Sequence, residues 1–217
     1  MKLRISGMLA IAAFVVSCLL GSAQSLARNA YITNFFSNNV SVIDTATNAV
    51  IATVSVGIDP LGIAVTPDGR EAYVTNSNSP GTVSVIETAT DTVTGTIPVS
   101  AFPYGVAVNP DGSKVYVASG NPGTVSVINT IAKKVTARIP VGIGPGGVAV
   151  SPDGKRVYVT DLLSNTVSII NAVTNTLIAT IPVGIEPIGV AVSPDGRKVY
   201  VANAASNVPL AGSTVSV

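Results

Sequence analysis

The chain has 217 residues, with 12 basic and 11 acidic side chains and no histidine. Without histidine there is no histidine-based triad, no histidine-ligated haem and none of the common zinc sites. A near-zero net charge without a basic stripe argues against nucleic acid as a partner.

The chain opens with Lys2 and Arg4, then an apolar run from Ile5 to Leu20, and residues 21–27 turn small and polar. This is the three-part pattern of a secretory signal over residues 1–27, and the apolar run is short for a membrane span. Cleavage after Ala27 or Ala23 fits the small-x-small rule. Val15-Val16-Ser17-Cys18 also resembles a lipobox, but Leu19 and Leu20 carry the apolar run past the cysteine and favour plain cleavage. Either route predicts export to the periplasm, cell surface or exterior, with no transmembrane span in the mature chain. Cys18 is the single cysteine, so the mature part has neither disulfides nor thiolate chemistry.

From residue 28 onward one unit of about 42 residues repeats, a period at which self-similarity means stacked supersecondary units. Tyr recurs at Tyr31, Tyr73, Tyr116, Tyr158 and Tyr200. Pro-Asp-Gly recurs at 67–69, 110–112, 152–154 and 194–196. A Val-Ser-Val/Ile-Ile block starts at Val40, Val83, Val125 and Val167 and returns shortened at Val215. From each block to the next Tyr is always 33 residues, whereas from Tyr to the block is 9, 10, 9, 9 and 15. All length variation therefore falls in one loop, and such variation clusters on one face of a repeat protein, often the binding face.

Each unit reads as four strands. In the fourth copy strand A covers residues 147–151, B 156–160, C 166–171 and D 176–183. Pro-Asp-Gly makes the A–B hairpin: Pro sets φ, Asp bonds the backbone two residues on, and Gly accepts φ > 0. Residues 173–175 turn C into D. Abundant Val, Ile and Thr suit strands buried on both faces. Alternation puts the Val pair of Thr-Val-Ser-Val on one face and the small hydroxyls on the other, so a branched face is expected to nest on a small one. Strand A is narrow, as befits the strand nearest an axis. Strand D tolerates Pro140 and Pro182 and suits an outer edge. The expected fold is all-β: a β-propeller of four-stranded antiparallel blades, about 4.5 of them present. A β-helix fits less well, because its coils are shorter and lack a hairpin turn in each period.

The tetrapeptides Tyr31-Ile-Thr-Asn34, Tyr73-Val-Thr-Asn76, Tyr116-Val-Ala-Ser119, Tyr158-Val-Thr-Asp161 and Tyr200-Val-Ala-Asn203 resemble the YVTN β-propeller repeat. So do the Val-Ser-Val-Ile and Pro-x-Gly-Ile/Val-Ala-Val-x-Pro-Asp-Gly blocks, and the likeness runs from residue 28 to 217. The resemblance implies an exported or surface bacterial or archaeal propeller, commonly seven-bladed and often without defined activity, and also similar to lactonase-type propellers. The blades are expected at 60–100, 103–141 and 145–183, flanked by incomplete ones at 28–57 and 187–217. The first lacks strand A and the last lacks strand D, which predicts a truncated arc whose missing blades come from the rest of a longer chain, the alternative being an arc completed by a partner.

In a four-stranded meander the B–C and D–A loops share one face, and the A–B and C–D turns share the other. Because the B–C loop varies, binding is assigned to its face. Asp59, Phe102, Tyr104 and Glu186 flank the D–A prolines and are expected at the mouth of the central channel, with Phe35, Phe36, Leu162 and Leu163 as apolar contacts. The Pro-Asp-Gly carboxylates Asp68, Asp111, Asp153 and Asp195 are explained by turn chemistry. The recurrent Tyr is read as blade core or as an inter-blade hydrogen-bond donor.

These residues suggest a non-catalytic binding scaffold for a protein, glycan or small molecule, needing neither cofactor nor metal. The alternative is a lactonase-like hydrolase opening a sugar lactone, with Asp59, Glu186 or Asp161 as the base.

Overall fold

A computed structural model describes residues 29–204 and 214–217. The expected export signal over 1–27, including Cys18, and most of the long loop over 203–212 lie outside the described residues.

The fold is a succession of five antiparallel sheets, as the repeat requires. The first holds β1 (Asn29–Asn34), β2 (Asn39–Asp44) and β3 (Ala49–Ser55). The second holds β4 (Pro60–Val65), β5 (Glu71–Asn76), β6 (Thr82–Glu87) and β7 (Thr92–Pro98). The third runs β8 (Ala101–Val108), β9 (Lys114–Asn121), β10 (Thr124–Asn129) and β11 (Lys134–Pro140). The fourth runs β12 (Pro145–Val150), β13 (Arg156–Asp161), β14 (Thr166–Asn171) and β15 (Thr176–Pro182). The last holds β16 (Pro187–Val192), β17 (Val199–Asn203) and β18 (Thr214–Ser216). Strands follow one another in space as in sequence, so strands β4, β8, β12 and β16 are the A strands of their blades.

In the fourth sheet strand A begins at the proline, two residues earlier than the sequence suggests. Strand A of the second and fifth sheets also begins at its proline, and that of the third starts at Ala101, ahead of Pro103. Pro145 pairs with Asp161 before a register shift at Val148. Pro donates nothing to the ladder, so it is accommodated at a strand's first residue.

The A strands meet at backbone distance around the axis. A β-carbon on Gly62 would lie 2.5 Å from the Tyr104 carbonyl oxygen, and one on Gly105 would lie 2.3 Å from that of Gly146. No side chain fits that gap, which is why glycine stands there in the repeat.

Among the described residues there is no single core. Four apolar clusters form instead, one at each junction between successive sheets. Tyr73, Val83, Val85 and Ile97 of the second sheet pack on Val106, Val115, Val117 and Ile128 of the third. Tyr116, Val125, Val127 and Ile139 then meet Val157, Val159 and Ile170 of the fourth. The expectation that a branched face nests on a small one is corrected here. The receiving face carries Val117 and Ile128, or Val159 and Ile170, so both surfaces are branched and apolar. Each fully buried Val contributes roughly 1.5–3 kcal/mol, and the blades hold one another through these contacts.

Candidate functional site

The B–C and D–A loops form one face and are knitted together through backbone groups. The Asp59 amide donates to Oδ1 of Asn38 at 2.9 Å, and its carbonyl accepts from the Ser77 amide at 2.9 Å. The Glu186 amide likewise donates to Oδ1 of Asn165 at 2.8 Å, and its carbonyl accepts from Ala204. Phe102 donates to the Asn78 carbonyl. Asp59, Phe102 and Glu186 thus occupy one equivalent position, immediately before the proline of strand A. Gly144 holds it in the fourth sheet.

All four are left-handed, with φ of 54°, 55° and 53° for Asp59, Phe102 and Glu186 and 67° for Gly144. Glycine adopts this region freely and aspartate tolerates it, but phenylalanine and glutamate are strained there. Sequence reasoning missed this conformation, and its one visible sign was the glycine at 144.

Tyr104 is 43% exposed, and its ring edge lies over Gly120, near the end of strand β9 in the same sheet. Leu162 and Leu163 donate to the carbonyls of Gly144 and Ile143, with the Leu163 side chain against Gly144. Phe35 and Phe36 lie on a 3-10 turn (Phe35–Ser37), their rings edge-to-face at 5.0 Å, and Phe36 is the most exposed aromatic. The structure therefore brings Leu162 and Leu163 to the Gly144 turn, and Asp59 to the loop that follows Phe36. It keeps Asp59 and Glu186 apart, since they enter the second and fifth sheets. Ile58, Ile143 and Ile185 are also exposed on these loops, each just before the left-handed residue. Sequence reasoning missed them as well, because isoleucine in a strand-rich repeat reads as core.

Asp161 is corrected as a candidate base. It is fully buried, and its Oδ2 accepts from Ser168 at 2.7 Å and Thr166 at 3.0 Å. Asn76 occupies the same position in the second sheet, donating to Thr82 and Ser84, and Asn203 does so in the fifth. Asp161 is therefore a clamp between strands B and C that happens to be ionisable, and burial raises its pKa above the ordinary carboxylate value.

The other motif residues also have structural duties. Thr75 accepts from the Gly62 amide of its own A strand at 2.8 Å and donates to the Tyr104 carbonyl of the next at 2.7 Å. Thr33 and Thr160 repeat the second bond, to Leu61 and Ile188. At the opposite face Tyr31 donates to Asp91 across the first junction at 3.2 Å. Tyr73 donates to Glu71 at 2.8 Å, whose other oxygen meets Lys133 of the next sheet at 2.8 Å. The Pro-Asp-Gly carboxylates behave as turn groups: Oδ1 of Asp153 accepts from the Ser151 hydroxyl at 2.6 Å and the Lys155 amide at 3.0 Å. The Ser151 bond leads in holding that carboxyl below its usual range.

Two shallow grooves of about 590 Å³ each open on the turn face. One lies between the second and third sheets and includes Glu71, Glu87 and Lys133; the other, between the third and fourth, includes Lys114, Asp153 and Lys155. No rim residue named above lines either groove. Among the described residues no group of three acidic or thiol side chains is placed to hold a metal ion.

Repeating four-stranded sheets, junction cores and inter-blade latches together define a β-propeller repeat protein. Residues 106–210, just under half of the chain, match the family described as YNCE-like beta-propeller. A structure of Kuenenia stuttgartiensis hydrazine synthase is 27% identical with a TM-score of 0.76, covering 85% of this chain and 55% of that one. A functionally unknown protein from Desulfotomaculum acetoxidans DSM 771 is 22% identical with a TM-score of 0.74, covering 84% of this chain and 61% of that one. The chain thus spans less than two thirds of the length of these two structures. No curated protein matches it.

Proposed function

We propose that the chain is an exported, non-catalytic propeller that binds a partner through the face made by its B–C and D–A loops. Phe102 carries this reading. An aromatic side chain, 41% exposed, is held in a left-handed conformation at a position where glycine serves in the neighbouring sheet. Strained residues of this kind cluster at ligand clamps, where their cost is offset by the structure around them. Export rests on the leader pattern over residues 1–27.

The hydrolase reading is weaker. With Asp161 committed to its clamp, Asp59 and Glu186 are the remaining candidate bases, and they enter different blades.

The test is a screen of the chain against a glycan array and a phage-displayed peptide library, repeated with Phe102→Ser/Tyr104→Ser. Binders lost in that variant support the scaffold. Turnover of a sugar lactone that disappears in Asp59→Asn or Glu186→Gln would replace the scaffold with a hydrolase.

A further inference from the structure

The two faces of the arc differ in charge. Among the described residues every lysine and arginine except Arg138 lies on or beside the A–B and C–D turns. Eight cations there are balanced by eight carboxylates, Glu71 and Lys133 forming a direct pair. Arg138 is on the outermost strand of its sheet. Among the described residues the loop face holds no cation. Its carboxylates are the buried Asp161 and the rim residues Asp59 and Glu186, which stand at the starts of A strands on either side of Phe102. The Asp59 carboxylate makes no hydrogen bond or ion pair among the described residues.

Exposed apolar side chains stand around these acids, among them Ile58, Phe102, Tyr104, Ile143 and Ile185, set between polar groups such as Asn38 and Asn165. Such a rim repels a nucleic-acid backbone or an anionic membrane, because neither finds a cation there. Asp59 and Phe102 are bonded through their backbones to adjacent residues of one loop, Ser77 and Asn78. A rim that carries both acid and aromatic rings is complementary to a cation on an apolar stem, which gains from carboxylate and ring faces.

We infer that the loop face receives a polypeptide segment in which lysine or arginine stands among apolar side chains, the cations directed at Asp59 and Glu186 and the apolar groups at Phe102, Tyr104 and the isoleucines. This rests on the scaffold reading and assigns the chemistry of its partner.

The test uses the full chain and a phage-displayed library of random dodecapeptides. Selected peptides should be rich in lysine or arginine next to aromatic or aliphatic residues. Synthetic versions should bind at least tenfold more weakly to Asp59→Asn/Glu186→Gln, and progressively more weakly as salt rises. Asparagine tolerates the left-handed conformation, so the Asp59 change leaves the turn intact, and an unchanged melting temperature checks that the variant is folded. Selected peptides without basic residues, or indifferent to the charge-neutral variant yet lost in Phe102→Ser/Tyr104→Ser, would overturn this inference and leave the scaffold standing. Glycans bound through the same rim would do likewise. No binder dependent on Phe102 and Tyr104 would overturn both.

Discussion

A β-carbon on Gly142 would lie 2.5 Å from the carboxyl carbon of Asp161. The same closeness joins Gly57 to Asn76 and Gly184 to Asn203. In the third blade both partners change: Ser100 stands at the glycine position and Ser119 at the amide position, and Ser100 meets the Thr124 hydroxyl at 3.0 Å. The D–A loop and the end of strand B thus share one volume, filled from one side or the other. Gly142→Ala is expected to destabilise by about 1–3 kcal/mol through overpacking. Adding Asp161→Ser should recover part of that loss in a denaturant titration; strictly additive losses would refute the shared-volume account.

Asp161→Asn is expected to stabilise the protein at neutral pH. Burial raises the Asp161 pKa above its ordinary 3.8, so the folded state holds the proton more tightly than the unfolded chain does. Stability associated with this group is present in full below pH 3.8 and is lost as pH rises through the elevated folded value. Asparagine removes the charge and keeps the clamp, as Asn76 demonstrates. The melting temperature should rise by a few degrees at pH 7 and by less as the pH is lowered. A variant less stable than the parent at pH 7 would contradict this.

The junction tyrosines predict an alkaline limit. Burial, aided by Asp91, pushes the Tyr31 phenol up to about 12, and burial does the same for Tyr116. Tyr73 is raised as well, by burial and then by its bond to Glu71. A raised phenol pKa contributes stability that is complete below pH 10 and lost as pH climbs through about 12. Unfolding free energy should therefore stay level with respect to these groups below pH 10 and fall between pH 10 and 12. Tyr116→Phe should make that fall shallower, and an identical slope in the variant would remove Tyr116 from the explanation.

Thr75→Val keeps the side-chain shape and deletes the hydroxyl that joins Gly62 to Tyr104. Both backbone partners are then left in a buried site, at an expected cost of about 1–3 kcal/mol. Amide hydrogen exchange at Gly62 and Gly105 should quicken more than in the outer strand β7. Uniform acceleration across the blade would point to general loosening instead.

Lys133→Ala tests the ion pair with Glu71. Both side chains are partly solvent-exposed, so the loss is expected to stay below about 1 kcal/mol and to shrink with added salt. Lys133 itself is left-handed, with φ of 49°, and a loss of several kcal/mol would mean that it also supports that turn.

Much of the fold was legible beforehand because Tyr, Pro-Asp-Gly and Val-Ser-Val recur at fixed spacing, and each marks a local event. Pro-Asp-Gly specifies its own hairpin: Asp68, Asp111, Asp153 and Asp195 each accept from the amide two residues on. The strand starts were less legible, since Pro145 joins a ladder through its carbonyl alone. The candidate site was half legible. The flanks of the D–A prolines drew attention to Asp59, Phe102 and Glu186, but their shared left-handed backbone could not be read from side-chain identity. Asp161 misled for a similar reason: only its contacts separate a buried clamp from a solvent-facing acid.

Taken alone, the sequence determined the repeat, the four-strand unit and the alternation of buried and exposed positions, because strand periodicity and turn chemistry act over a few neighbouring residues. Only the tertiary structure decided which surfaces meet at the junctions, which carboxylates are buried and that cations avoid the loop face. Those properties depend on residues about 30 to 60 positions apart, such as Thr75 with Tyr104 and Tyr31 with Asp91. Such groups acquire neighbours only when one blade lies against the next.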